Sequence, residues 1–316
     1  MLCAFMGFVE PGDEVIVFEP FFDQYISNIE MAGGIVKYVP LHPPKDGANV
    51  TSSAANWTVN MAELEATISP RTKMIVINTP HNPVGKVFSR SELLAIGELC
   101  LKHNILTLSD EVYDRLYYVP FTRMASLSPE LAKITLTVGS AGKNFYATGW
   151  RVGYLIGPPE LIQPVAAAHT RICFTSPSPL QEAAAVGFEQ AEHHNFWSQS
   201  VAEMRGKIDR FCSVFNELSI PYSIPEGGYF VLANLSRVKL PNDIDYPTHV
   251  LDRPRDFRMA WFLITRLGVA AIPPSDFYSS ERAALAENWM RFAVCKEDDV
   301  LDTAKERLMG LQRYLV

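Results

Sequence analysis

Short runs of β-branched and apolar residues alternate along this chain with segments of helical spacing. The runs at residues 14–18, 35–41, 74–78, 105–108, 135–138 and 154–156 are too short for helices and largely apolar, as expected of strands buried on both faces. Between them, Asn60 with Glu63 and Ser89 with Glu92 have the spacing of capping boxes and mark helix starts. The expected fold class is therefore α/β, a mostly parallel sheet with helices on both faces. Residues 45–56, rich in Ser, Asn and Ala, read as an exposed loop insertion. Beyond about residue 190 the pattern changes to one long helical segment, 191–218. Gly227-Gly228-Tyr229-Phe230 and a second α/β stretch follow. This divides the chain into a large unit, 1–204, and a smaller C-terminal α/β domain, 205–316.

Composition narrows the classes of function. A chain of 316 residues, 48% hydrophobic, can fill a sizeable core. A net charge of -7 and a pI near 5.6 supply no general attraction to nucleic acid or to anionic membranes, so neither partner is expected. No apolar run is long enough to span a bilayer. The five cysteines are odd in number and lack any CxxC pair, so neither a disulfide framework nor a zinc site is signalled. That composition suits a reducing compartment, with a cytoplasmic location expected and a mitochondrial one open. The apolar residues 1–9 lack a basic flank and run into Glu10-Pro11-Gly12-Asp13, which reads as the tail of a helix and not as a signal peptide. Sequons at Asn49, Asn56 and Asn234 are then chance matches. His42, His169 and the pair His193-His194 lack metal-ligand spacing, and no metal is expected. His81 is either a turn residue or a neighbour of the site.

The most informative residue is Lys143. It follows the apolar run 135–138 through Gly139-Ser140-Ala141-Gly142, where small residues can hold a neutral amine ready for a carbonyl. A phosphate-binding P-loop is excluded, because only two residues separate Gly139 from Gly142 and Asn144 follows the lysine. Asp110 ends another strand-like run and opens DEVYDRLYY, where a carboxylate serves either as a helix cap or as a buried acid. No Ser-His-Asp order or nucleophile elbow competes.

The segment GSAGKNFYATGWRVGY, with NTPHNPVGK, DEVYDRLYY, EPFFDQY and NWMRFAVC, resembles the fold-type-I aminotransferases that use pyridoxal phosphate (PLP). Within these it is most similar to the kynurenine aminotransferases, which include glutamine transaminase K and cysteine-S-conjugate β-lyase. The resemblance implies the PLP-transferase fold and transamination of kynurenine, or of an aromatic or glutamine-like amino acid, with an α-keto acid. It also implies β-lyase side activity and a homodimer. It gives Lys143 the role of Schiff-base lysine and Asp110 that of partner to the pyridine nitrogen. Tyr113 and Asn82 become donors to the ring oxygen, and Asn82 also meets the substrate carboxylate. Phe22 stacks on the ring while Phe21 packs into the domain, and Ser140 and Arg151 hold the phosphate. Arg291 grips the substrate α-carboxylate, and Phe174 lines the neighbouring subunit's site. Asn78 is left as a strand-end cap.

Family members carry a further N-terminal segment with a first sheet strand and a phosphate-binding turn. The resemblance thus implies a chain that begins inside the following helix. Two expectations follow: the strand around residues 154–156 becomes an exposed, aggregation-prone sheet edge, and PLP affinity falls by orders of magnitude, so that residues 1–316 alone show little or no turnover until the upstream segment is restored. The rival reading is a catalytically impaired short form that only folds or binds a partner.

Overall fold

The computed structural model describes residues 1–316. Its strands are β1 (Glu14–Glu19), β2 (Ile35–His42), β3 (Ser52–Ser53), β4 (Thr58–Val59), β5 (Thr72–Asn78), β6 (Leu106–Asp110), β7 (Thr135–Ser140), β8 (Gly153–Ile156), β9 (Tyr222–Ile224), β10 (Phe230–Asn234) and β11 (Trp289–Ala293). Seven of them form one sheet in the order β4-β2-β1-β5-β6-β7-β8. It is parallel except for β4 at one edge and β8 at the other. Ile156, on the edge strand β8, is 60% exposed.

Alternation along β1 shows why the strand runs are apolar throughout. Val15 and Val17 pack on one face with Phe5, Ile29 and Leu161, while Ile16 and Phe18 pack on the other with Leu93 and Ile96. Both faces are covered by helices, so successive residues are buried whichever way they point. Each such side chain contributes roughly 1.5–3 kcal/mol of burial free energy.

The helix Arg90–His103 starts with a complete capping box. Ser89 Oγ accepts from Glu92 N at 3.2 Å and Glu92 Oε2 accepts from Ser89 N at 2.8 Å. At Asn60 the box is half formed: the side chain caps Ala62 and Glu63, but Glu63 returns to the Asn60 side-chain amide instead of its backbone N–H.

Two expectations need correction. The segment 191–218 is not one helix. The helix Ser178–Ala191 ends, Asn195 takes a left-handed φ of 51°, and a new helix runs Phe196–Glu217. Asn tolerates that conformation better than most residues, so the polar His193-His194-Asn195 stretch marks the break. Nor is 45–56 simply an exposed loop. Its end forms β3, which pairs in parallel with β9, so a second, four-stranded sheet has the order β11-β10-β9-β3. Ala54 and the following Trp57 are buried, with Trp57 Nε1 donating to Ser223 Oγ at 2.9 Å.

Candidate active site

The parallel strands β1, β5, β6 and β7 place their carboxyl ends at one rim of the large sheet, the usual site of ligand crevices in open α/β sheets. A cavity of about 410 Å³ opens there. It is lined by Phe22, Asn78, Asn82, Asp110, Tyr113, Ser140, Lys143, Arg151 and Arg291, together with Tyr25 and Phe230. The candidate residues named above thus meet on one cavity, with the exception of Phe174. That residue is 78% exposed, has a left-handed φ of 61°, and lies beyond the helix Pro159–Ile172.

Asp110 ends β6 and is buried. Its Oδ2 accepts a hydrogen bond from the Tyr25 hydroxyl, and its Oδ1 accepts from Val112 N at 3.3 Å. Burial pushes its carboxyl up; the Tyr25 hydrogen bond and the Val112 N–H oppose that shift. Asn78 does more than end β5, because its Nδ2 donates to Asp110 O at 3.0 Å and its Oδ1 accepts from Asn82 N at 2.7 Å. It ties the two strand-end loops to each other.

Ser140 is the N-cap of the short helix Ala141–Asn144, its Oγ accepting from Lys143 N at 3.3 Å. Gly139 and Ser140 therefore belong to the strand, which passes directly into the short helix that carries Lys143. Gly139 has a steric reason to be glycine: a Cβ there would lie 2.1 Å from the ring of Tyr154, its partner on β8. The Lys143 amine is half-buried, 3.5 Å from Tyr229 OH and 5.8 Å from the centre of the Tyr113 ring. Burial lowers its pKa, favouring the neutral, nucleophilic amine. Tyr113 stands edge-on to Tyr229, with centroids 5.3 Å apart, and burial drives its phenol well up, keeping it a donor.

Arg291, on β11, lies between two aromatic faces, 4.4 Å from the Phe230 ring centre and 4.9 Å from that of Phe277. Its Nη1 donates to Asn82 Oδ1 at 2.9 Å, while its buried Nε has no partner. A desolvated guanidinium with an unmet N–H is suited to a carboxylate. Arg151 also lines the cavity, with φ 57° and its Nη1 donating to Thr148 O at 2.9 Å; Ser140 lines it too. A phosphate would find donors there. His81 is buried and kept neutral, its pKa pushed down to about 3 by burial and then by Lys86. It is absent from the cavity wall.

A buried polar network beneath the cavity has no counterpart in the sequence reading. Arg123 donates to Glu111 Oε2 at 2.8 Å and Asp114 Oδ2 at 2.5 Å, and Asn144 Nδ2 donates to Asp114 Oδ1 at 2.9 Å. It braces the residue next to Lys143. Arg123→Ala should cost about 2 kcal/mol or more, below the value for a fully buried pair because Arg123 is 41% exposed. Burial raises the Glu111 pKa above its unfolded value, so ionised Glu111 costs stability as pH rises through that window. In denaturant titrations the deficit of the variant should therefore shrink as pH falls from neutral through the titration of Glu111. A deficit that grows on acidification would contradict this account.

A family model described as aminotransferase class I and II matches residues 2–308. A probable kynurenine–oxoglutarate transaminase of Saccharomyces cerevisiae is 51% identical over 317 residues, covering 100% of this chain and 71% of the relative. Kynurenine–oxoglutarate transaminase 3 of Rattus norvegicus is 39% identical over 311 residues, covering 96% of this chain and 67% of its own length. Among solved structures, a Saccharomyces cerevisiae protein described as a candidate kynurenine aminotransferase superposes with a TM-score of 0.97 at 52% identity, covering 99% of this chain and 74% of that one. The N-succinyldiaminopimelate aminotransferase of Mycobacterium tuberculosis superposes with a TM-score of 0.84 at 32% identity, with 98% and 74% covered.

Proposed function

We propose, since this chain belongs to the class I and II aminotransferase family, that it uses PLP to move the amino group of kynurenine or a similar aromatic amino acid to an α-keto acid. The observation that carries the reading is the convergence of three groups on one cavity: a half-buried amine with a lowered pKa, a buried carboxylate, and a desolvated guanidinium with an unmet N–H.

The residues fit PLP. Asp110 is a buried acid able to face a protonated pyridine nitrogen, Ser140 and Arg151 would take the phosphate, and Phe22 offers a ring face. Tyr113 and Asn82 offer donors to the ring oxygen. When bound, PLP supplies an electron-accepting ring for the electrons released at the substrate α-carbon. Lys143 Nζ, whose pKa burial lowers, would be the amine that holds PLP and, when free, would take up and return a proton at the substrate. Arg291 orients the amino acid through its carboxylate, held in place by Asn82 and by the rings of Phe230 and Phe277. Those rings, with Phe22 and Tyr113, favour a flat apolar side chain, which supports kynurenine over a small polar donor. An amino acid with a leaving group on its β-carbon could lose it at the same stage, so β-lyase side activity belongs to the proposal.

A homodimer is also part of it, supported by apolar surface left exposed at Ile172, Phe174 and Val186; sedimentation velocity reads this directly. The functional test is turnover of kynurenine with 2-oxoglutarate after PLP addition, followed by loss of the amine donor and by visible absorbance. Faster turnover of aspartate or alanine than of any aromatic donor would reject the substrate class.

Arg291→Ala should raise KM for every amino acid, by a free energy of about 2–5 kcal/mol for a desolvated carboxylate contact, with a smaller change in kcat. An equal penalty on amines lacking a carboxylate would remove Arg291 from this role.

A further inference from the structure

Tyr25 has no assigned part in the chemistry, and its place in the helix Gln24–Met31 marks it as an ordinary core side chain. It is 2% exposed, packs edge-on against Phe22 with centroids 5.7 Å apart, and reaches the cavity wall. Its hydroxyl donates to Asp110 Oδ2, across 85 residues of sequence. A buried phenol needs a partner, and this one has taken the carboxylate on which the site depends. The other carboxylate oxygen receives only the 3.3 Å contact from Val112 N, so Tyr25 is the principal donor to Asp110.

We propose that Tyr25 is a positioning residue acting through Asp110: its hydroxyl hydrogen bond keeps that carboxyl ionised, and so keeps a proton shared between Asp110 and a bound pyridine nitrogen on the nitrogen. The inference rests on the reading of Asp110 as the partner of the cofactor ring. Its logic is one of competing proton affinities. Burial makes Asp110 a stronger base, and the Tyr25 hydrogen bond reverses part of that. In a contact between a carboxylate and a pyridinium, the proton resides on whichever partner binds it more tightly. Without the phenol donor, Asp110 gains proton affinity and the proton moves from nitrogen to carboxylate oxygen, with no other bond made or broken. The ring then loses its positive charge and, with it, its capacity as an electron sink.

The phenol itself stays protonated. Its pKa is driven well above the ordinary value, by burial first and then by the Asp110 charge, so the donor is present across the working pH range.

The test uses the whole chain with PLP labelled with ¹⁵N in its ring. In Tyr25→Phe the ring ¹⁵N resonance should move toward that of a neutral pyridine. The value of kcat should fall about tenfold for each unit by which the proton affinity shifts, with KM for the amino acid little changed. A cofactor methylated on the ring nitrogen, which cannot lose its charge, should close most of the gap between Tyr25→Phe and the parent. Replacing Tyr25 by 3-fluorotyrosine, of nearly the same shape but more acidic, should shift the resonance the opposite way, and this keeps the test available if Tyr25→Phe folds poorly.

In the unloaded protein, the Asp110 carboxyl infrared band, isolated by difference against Asp110→Asn, should persist to higher pH in Tyr25→Phe than in the parent. That readout holds even if PLP is not the ligand, whereas failure of the cofactor reading shows in the parent as no bound ring resonance. An unmoved ring resonance in both Tyr25 variants, or an unmoved carboxyl titration, overturns the proposal and leaves Tyr25 a core residue.

Discussion

Lys143→Ala should abolish turnover of every amino acid donor, by about 10⁴-fold or more, while leaving far-UV circular dichroism and the thermal midpoint close to those of the parent. The asymmetry follows from how the side chain is held. Its amine is half-buried and its polar contact is the 3.5 Å approach to Tyr229 OH, so its removal forfeits little packing. The helix Ala141–Asn144 is fixed by the Ser140 cap and by the Asn144–Asp114 hydrogen bond instead. Borohydride reduction of the parent after PLP addition should leave the pyridoxyl label on Lys143 in peptide maps. Lys86 is the informative control, being 1% exposed and engaged by Glu92 at 2.8 Å and Ala55 O at 3.2 Å. Label there or on Lys296 would sink the assignment.

Asp110→Asn should reduce transamination by roughly 10²–10³-fold or more yet leave PLP able to bind, because Ser140, Arg151 and Lys143 are untouched. The ring nitrogen would have lost the anion that holds its proton, so a cofactor with a permanent positive charge at that nitrogen should return part of the rate. Stability should move the other way. Burial raises the Asp110 pKa above its unfolded value, so the ionised carboxyl costs stability that grows as pH rises through the window between the two values. The neutral variant should then be at least as stable as the parent near pH 7, and the difference should vanish at acid pH, where the carboxyl is protonated in both states. Near-normal turnover with ordinary PLP would place the working carboxylate elsewhere.

Much of the large sheet is legible because strands buried on both faces carry short runs of apolar residues, unbroken in the middle of β1 and β5 and interleaved with small buried Thr and Ser in β6 and β7. The two-residue strands β3 and β4 are not legible, since pairing of Ser52–Ser53 depends on β9 far along the chain and on no local pattern. The residues on the cavity belong to segments with distinctive spacing around Lys143, Asp110, Asn82 and Arg291. Their supports escape such reading. Tyr25 looks like one more apolar position of an amphipathic helix, and Phe277 and Phe230 like core, until the fold brings them to Asp110 and Arg291. One signal was available: Asp110, Glu111 and Asp114 put three carboxylates in five residues beside a buried strand, a concentration that needs donors, and the fold supplies Tyr25, Arg123 and Asn144.

The pairing of β3 with β9 bears on the order of folding. Thr51 and Tyr222, joined where these strands meet, are 171 residues apart, and closing so long a loop has an entropic cost that few local contacts offset. Joining the strap therefore rewards the chain only once the buried contacts of the strands on either side have formed, which makes it a late event with little weight in the folding nucleus. Substitutions along it, such as Thr51→Val, which loses the hydrogen bond from Tyr222 N, belong to the class that leaves the refolding rate nearly unchanged and accelerates unfolding.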